Sequence, residues 1–243
     1  MIKFFRKIRQ NLLSEGKTGK YFKYAIGEIV LVVIGILIAL QINNWNEENK
    51  IATAEQQILK DIKNELLSNI ENLEVVTKSG KLSMENAKIL SQFYYNPSKL
   101  ADFPADSIAN LTYTLMGDKF FPENGIINSI ISTGQLNYIK EPQLKQALAS
   151  LQDKVEEKML STESLRKDGS YYLSRDIYSK VGYYIKDGKV ITPNVREIYS
   201  MPVFSVVLFG TFGGQRIVAL KKEEELMSIY QNIINLIDGE IKK

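Results

Sequence analysis

The sequence predicts a mainly α protein: one N-terminal transmembrane helix, then an extracytoplasmic helical domain with a small β-hairpin near 183–191. Three observations carry this. Tyr24 to Ile42 is almost wholly apolar, the chain beyond it repeats apolar residues at helical spacing, and no proline or glycine occurs between Asn43 and Ser79. The elements follow in chain order as residues 1–23, 24–42 and 43–243.

The 243 residues leave room for an anchor and one domain of about 200 residues. Residues 1–23 carry Lys3, Arg6, Lys7, Arg9, Lys17, Lys20 and Lys23 against Glu15, a net +6. The whole chain is +3, so the rest is −3. The basic balance therefore belongs to a tail, and no nucleic-acid partner is expected. Within the tail, Phe5, Ile8 and Leu12 fall at helical spacing among the cations. This fits a short helix on an anionic membrane surface, or equally a disordered charged tail that only fixes orientation.

Tyr24 to Ile42 spans 19 residues, about 28 Å as a helix, against a hydrocarbon core of roughly 30 Å. Glu28 and Gln41 alone interrupt it. Tyr21, Phe22 and Tyr24 before it and Trp45 after it suit the two interfaces. Small residues at the spacing a signal peptidase needs are missing from ILIALQINN, so the segment is expected to stay attached. Cations crowd the N-terminal side, while Asn43 to Lys60 holds Lys50 and Lys60 against Glu47, Glu48 and Glu55. The positive-inside rule then puts the N-terminus in the cytoplasm and the remainder outside.

Beyond the span, Ile51, Ile58, Leu59, Ile62, Leu66, Ile70, Leu73 and Val76 make one apolar stripe, predicting a helix that runs on to Ser79-Gly80. A second helix through Ala87, Leu90 and Tyr94 should stop at Asn96-Pro97. A loop over Lys99–Asp106 and a short helix around Ile108–Leu115 follow. Phe121 to Leu151 predicts helix–turn–helix, with Gly134 as a C-cap and Pro142 in a first turn. Leu144, Leu148, Leu151, Val155 and Met159 extend that second helix. Asp187-Gly188 between β-prone runs predicts the hairpin. Leu220, Met227, Tyr230, Ile234, Ile237 and Ile241 mark a C-terminal core helix.

The block MIKFFRKIRQNLL…GKYFKYAIGEIVLVVIGILIALQINNWNE, together with STGQLNYIKEPQLKQAL, resembles a flavobacterial (Bacteroidota) family of single-span membrane proteins of unknown function. The likeness is close over 1–50 and weaker over 121–151. It implies a Gram-negative inner membrane and a periplasmic domain, and it supplies no catalytic residues.

Cysteine and histidine are both absent, which removes thiol nucleophiles, disulfides, Cys/His zinc sites and histidine acid–base chemistry. No acid pair stands out by spacing, Gly16-Lys17-Thr18 lacks the earlier glycine of a phosphate loop, and GTFGG (Gly210–Gly214) predicts a turn between helices. No enzyme, cofactor or metal is expected. The expected function is a membrane-anchored periplasmic interaction or scaffold module. It would pair with itself or with inner-membrane or periplasmic proteins, the stripe on the long helix offering surface. Within the span, Glu28, Leu31, Gly35, Ala39 and Ile42 share one face, and Gly35-x-x-x-Ala39 permits close helix approach. Glu28 has three readings: a side chain snorkelling towards Lys20, Lys23 or headgroups, a hydrogen-bonding link between helices, or a proton carrier. The last would make the chain an accessory subunit of a proton-driven motor or channel, by resemblance to single-span stator subunits.

Overall fold

The computed structural model describes residues 18–241. The chain divides into two compact units after Glu55, and it is mostly helical with one two-stranded sheet among the described residues. The first helix, α1 (Thr18–Tyr95), contributes to both units.

In the first unit every large apolar side chain from Phe22 to Trp45 is exposed, from 47% at Val33 to 68% at Leu31. The most apolar window has a mean hydropathy of 2.6 and none of it is buried. A helix apolar on all sides keeps its own backbone hydrogen-bonded, which is what hydrocarbon surroundings demand.

The second unit opens on the remainder of α1. Here Ile58, Leu59, Ile62, Leu66, Leu73 and Val76 are buried, and they pack against the unit's own helices rather than offering a pairing surface. The predicted stop at Ser79-Gly80 does not occur, since α1 continues to Tyr95. Glycine costs a helix interior about 1 kcal/mol, but close packing requires it here. A Cβ on Gly80 would lie 2.9 Å from Leu220 Cδ2 and 3.6 Å from Arg216 Cδ.

The helices α2 (Pro97–Asp102), α3 (Ala105–Tyr113), α4 (Gly125–Ser132) and α5 (Pro142–Ala149) follow. The expected loop at 99–106 is therefore mostly helical: only Phe103 and Pro104 separate α2, which Pro97 starts, from α3. Gly134 adopts φ +74°, Pro142 begins α5, and the Glu141 carboxylate accepts from Gln143 N at 3.3 Å. The continuous helix expected from Leu144 to Met159 breaks at Ser150, and α6 (Leu151–Tyr171) carries on.

A wide π-type turn, Tyr172–Tyr178, leads into α7 (Ser179–Val181) and the hairpin β1 (Tyr184–Lys186) and β2 (Lys189–Ile191). Tyr184 pairs with Ile191 and Lys186 with Lys189. Asp187 and Gly188 both take positive φ, 51° and 72°, as a two-residue hairpin of this twist needs. The single turn α8 (Pro202–Ser205) runs through a second π-type segment, Val206–Gln215, into α9 (Arg216–Ile241). GTFGG thus lies inside a wide helical segment and makes no turn. Val207, Leu208, Thr211 and Phe212 are all buried, and keeping the chain helical is what holds them on the core.

Burial forms two apolar clusters. One joins Ile58–Val76 of α1 to Leu144, Leu151 and Val155 and to Leu226–Ile237 of α9. The other joins Ala87, Leu90 and Phe93 to Leu165, Ile177, Phe204, Phe212 and Ala219. On α1, α6 and α9 the changeover falls at a polar layer. Thr77 and Thr162 donate to the buried Glu223 carboxylate at 3.4 and 3.0 Å.

Candidate functional site

Arg216 is 1% exposed beside that layer. Its Nη2 donates to the carbonyls of Leu115 (3.2 Å) and Met116 (2.8 Å), and Ser83 Oγ donates to the Leu115 carbonyl as well. These carbonyls end a 3₁₀ turn, Thr114–Met116, so a buried cation covers acceptors that the helix leaves open. Gly117 follows at φ +65°, and a Cβ there would stand 3.3 Å from Arg216 Nη2. Asp118 N donates to Ser79 Oγ at 3.0 Å, and Arg166 Nη1 donates to the Gly117 carbonyl at 3.4 Å. Two guanidiniums thus clasp one turn. Burial lowers the Arg216 pKa, the nearby Glu223 opposes this, and Arg166 adds to it.

Above this turn opens a cleft of about 700 Å³. α1 supplies Ser79 and Leu82, the clasped turn supplies Thr114, Met116, Gly117 and Asp118, and α6 supplies Arg166 and Ser170. Leu173, Ser174 and Tyr178 come from the wide turn, with Tyr113, Ser179 and Tyr183 completing the lining. Tyr113 and Tyr183 stack at 17° with centroids 6.1 Å apart, and Tyr178 and Tyr183 lie 4.9 Å apart. The Tyr178 hydroxyl is buried and has no hydrogen-bond partner among the described residues. Burial, then the neighbouring Tyr183 and Tyr113, raise its pKa, so it acts as a neutral donor. Arg166 is half-buried and has no carboxylate at ion-pair distance among the described residues. Such a lining can bind, orient and neutralise; among the described residues no three acids converge as metal ligands would.

Sequence reasoning gave none of these residues a functional role, although Ser79 figured as a helix stop and Tyr183 as the start of the hairpin. The available signal was SYYLSRDIYS (Ser170–Ser179), dense in serine and tyrosine. The residues that were given such a role lie elsewhere. Leu31, Gly35, Ala39 and Ile42 are exposed on α1, Glu28 is half-buried, and Lys23 is exposed. Lys20 is in α1, while Lys3, Arg6, Lys7, Arg9 and Lys17 lie outside the described residues. A Cβ on Gly35 would meet nothing within 4 Å.

Compared with known proteins, the chain matches no curated protein and no solved structure. Residues 28–174, more than half of the chain, match DUF6090, a family of unknown function. The match takes in α1 from Glu28 onward and the cleft as far as Ser174, and on that extent the chain belongs to DUF6090.

Proposed function

We propose that the protein is a single-span, membrane-anchored interaction module, held in a bacterial inner membrane with its N-terminus cytoplasmic and its helical body periplasmic. The observation that carries this is the exposure of every large apolar side chain from Phe22 to Trp45, which water would not tolerate and a bilayer would. A second stretch, Pro202–Ile241, is also long and apolar enough to cross, but 44% of its most apolar window is buried. That is the pattern of a core helix, hence one span. The orientation rests on the cations of residues 1–23. Self-association through Glu28, Leu31, Gly35, Ala39 and Ile42, or pairing of that face with another inner-membrane protein, is the assembly we assign to the span.

The absence of cysteine makes the test direct. A Lys189→Cys protein, altered at the exposed hairpin, should resist alkaline extraction from membranes. It should also react with a membrane-impermeant maleimide once the outer membrane is opened. Labelling only after lysis of the inner membrane would reverse the topology, and release by alkali would remove the anchor.

A further inference from the structure

The cleft joins three features: a hydroxyl-rich wall, two part-exposed tyrosines and, in a lining that also holds Asp118, an arginine with no carboxylate at ion-pair distance among the described residues. Its volume, about 700 Å³, is that of a small-molecule site. Tyr113 and Tyr183, 47% and 39% exposed, leave aromatic surface open to an apolar ligand face. Ser170 and Ser174 are exposed beside them, each able to donate and accept, and Ser179, whose hydroxyl donates to the Arg175 carbonyl, can still accept. The buried Tyr178 hydroxyl still has its hydrogen bond to make. Ligands with flat C–H faces edged by hydroxyls are sugars. Arg166, tethered to the Gly117 carbonyl by one nitrogen, keeps further N–H donors for an anion.

We propose that this cleft binds a short saccharide bearing one anionic group, a carboxylate or a phosphate. The sugar ring lies against the exposed surface of Tyr113 or Tyr183, its hydroxyls meet the serines and Tyr178, and the anion meets Arg166. The site is fixed in advance, because Arg216, Ser83 and Ser79 hold the turn that carries Thr114 and Asp118. All of its residues lie in the second unit, so the proposal holds whichever way the anchor faces.

The test is titration calorimetry on the full chain in nanodiscs with four probes: glucuronic acid, glucose 6-phosphate, glucose and inorganic phosphate. One or both anionic sugars should bind at least about tenfold more tightly than glucose and phosphate, and whichever binds more tightly identifies the anion. Arg166→Gln should abolish the preference for the anionic sugar over glucose. Tyr183→Ala, at an exposed position, should weaken every sugar while leaving the unfolding temperature unchanged. Glucose equalling both anionic sugars would overturn the proposal. Phosphate matching glucose 6-phosphate would reduce the site to an anion site and overturn it too. So would no binding by any probe at about 10 mM, or an unaltered preference in a folded Arg166→Gln protein. Should Arg166→Gln not fold, Tyr183→Ala and the four-probe comparison decide alone.

Discussion

Tyr24–Ile42 and Ile58–Val76 are two stretches of one helix, each 19 residues long. In the first the apolar residues surround the axis and all the large ones are exposed; in the second six of the nine keep to one buried side, while Leu67 and Val75 are exposed. The difference lies in number as well as arrangement: fifteen of the nineteen residues are apolar in the first stretch and nine in the second. An apolar cylinder needs an apolar environment, whereas an apolar stripe needs only a facing element, and here the same chain provides one in α9. A stripe therefore says little about partners until its own fold has been searched for a cover.

The sharpest way to break this contrast is to cut one leucine in each stretch. Leu66 is fully buried, so Leu66→Ala should lower the unfolding free energy by about 2–5 kcal/mol through lost burial and a residual cavity. Leu31→Ala should leave it within about 0.5 kcal/mol. Urea unfolding of the detergent-solubilised chain, followed by circular dichroism, measures both. Equal losses would show that the first stretch is covered by protein after all.

A smaller effect separates assembly from folding. Nothing lies within 4 Å of a Cβ built on Gly35, so Gly35→Leu should leave the urea midpoint unchanged while weakening helix association by roughly 1 kcal/mol. Glu28→Gln, which keeps hydrogen-bonding capacity, should associate like the parent. Analytical ultracentrifugation in detergent reads both. A Gly35→Leu protein that assembles normally would remove this face from any interface.

The smallest effect concerns the polar layer beneath the stripe. Burial raises the Glu223 pKa, against hydrogen bonds from Thr162 and Thr77 and the charge of Arg216. The folded protein then holds this proton more tightly than the unfolded chain does. The contribution to stability is fully present below the unfolded-state pKa and is lost as pH rises through the folded value. Glu223→Gln keeps an acceptor for Thr162 and removes the titration. Its stability should therefore decline less than the parent's as pH rises from the unfolded carboxylate value towards neutrality. Parallel pH profiles of the two proteins would contradict the assignment.

Helix positions and most of the core were legible because apolar spacing reports them: Leu59, Leu66, Leu144, Leu148, Tyr230 and Ile237 are buried as the periodicity predicts. Gly134, Pro142 and Asp187-Gly188 acted through local backbone preference, which also survives in sequence. What stayed hidden depends on contacts between distant positions. Gly80 looked like a stop because the helix it packs against lies some 140 residues away, at Arg216 and Leu220. GTFGG looked like a turn because glycine's freedom is visible in sequence and the burial of Phe212 is not. Glu65 was one acid among many, yet its carboxylate accepts from Ile126 N and Ile127 N at 2.7 and 3.1 Å and caps α4. The cleft was hidden for the same reason, since Ser79, Tyr113, Arg166 and Tyr183 come from four separate stretches.

The wide segment Val206–Gln215 has one more consequence, for how the chain tolerates changes of length. In a π-type winding each hydrogen bond spans one more residue than in an α-helix, so it shifts the angular phase of everything after it. Phe204 before the segment, Phe212 within it and Leu226, Tyr230 and Ile233 after it all face the interior with that winding in place. Removing a single residue from this segment would turn the downstream helix by about 100°, presenting solvent-facing glutamates to the interior. The Asp187-Gly188 turn carries no such phase and ends in open space at Gly188. Insertions and deletions should thus accumulate among related chains at the hairpin tip and be excluded from 206–215, whatever residues those chains place there.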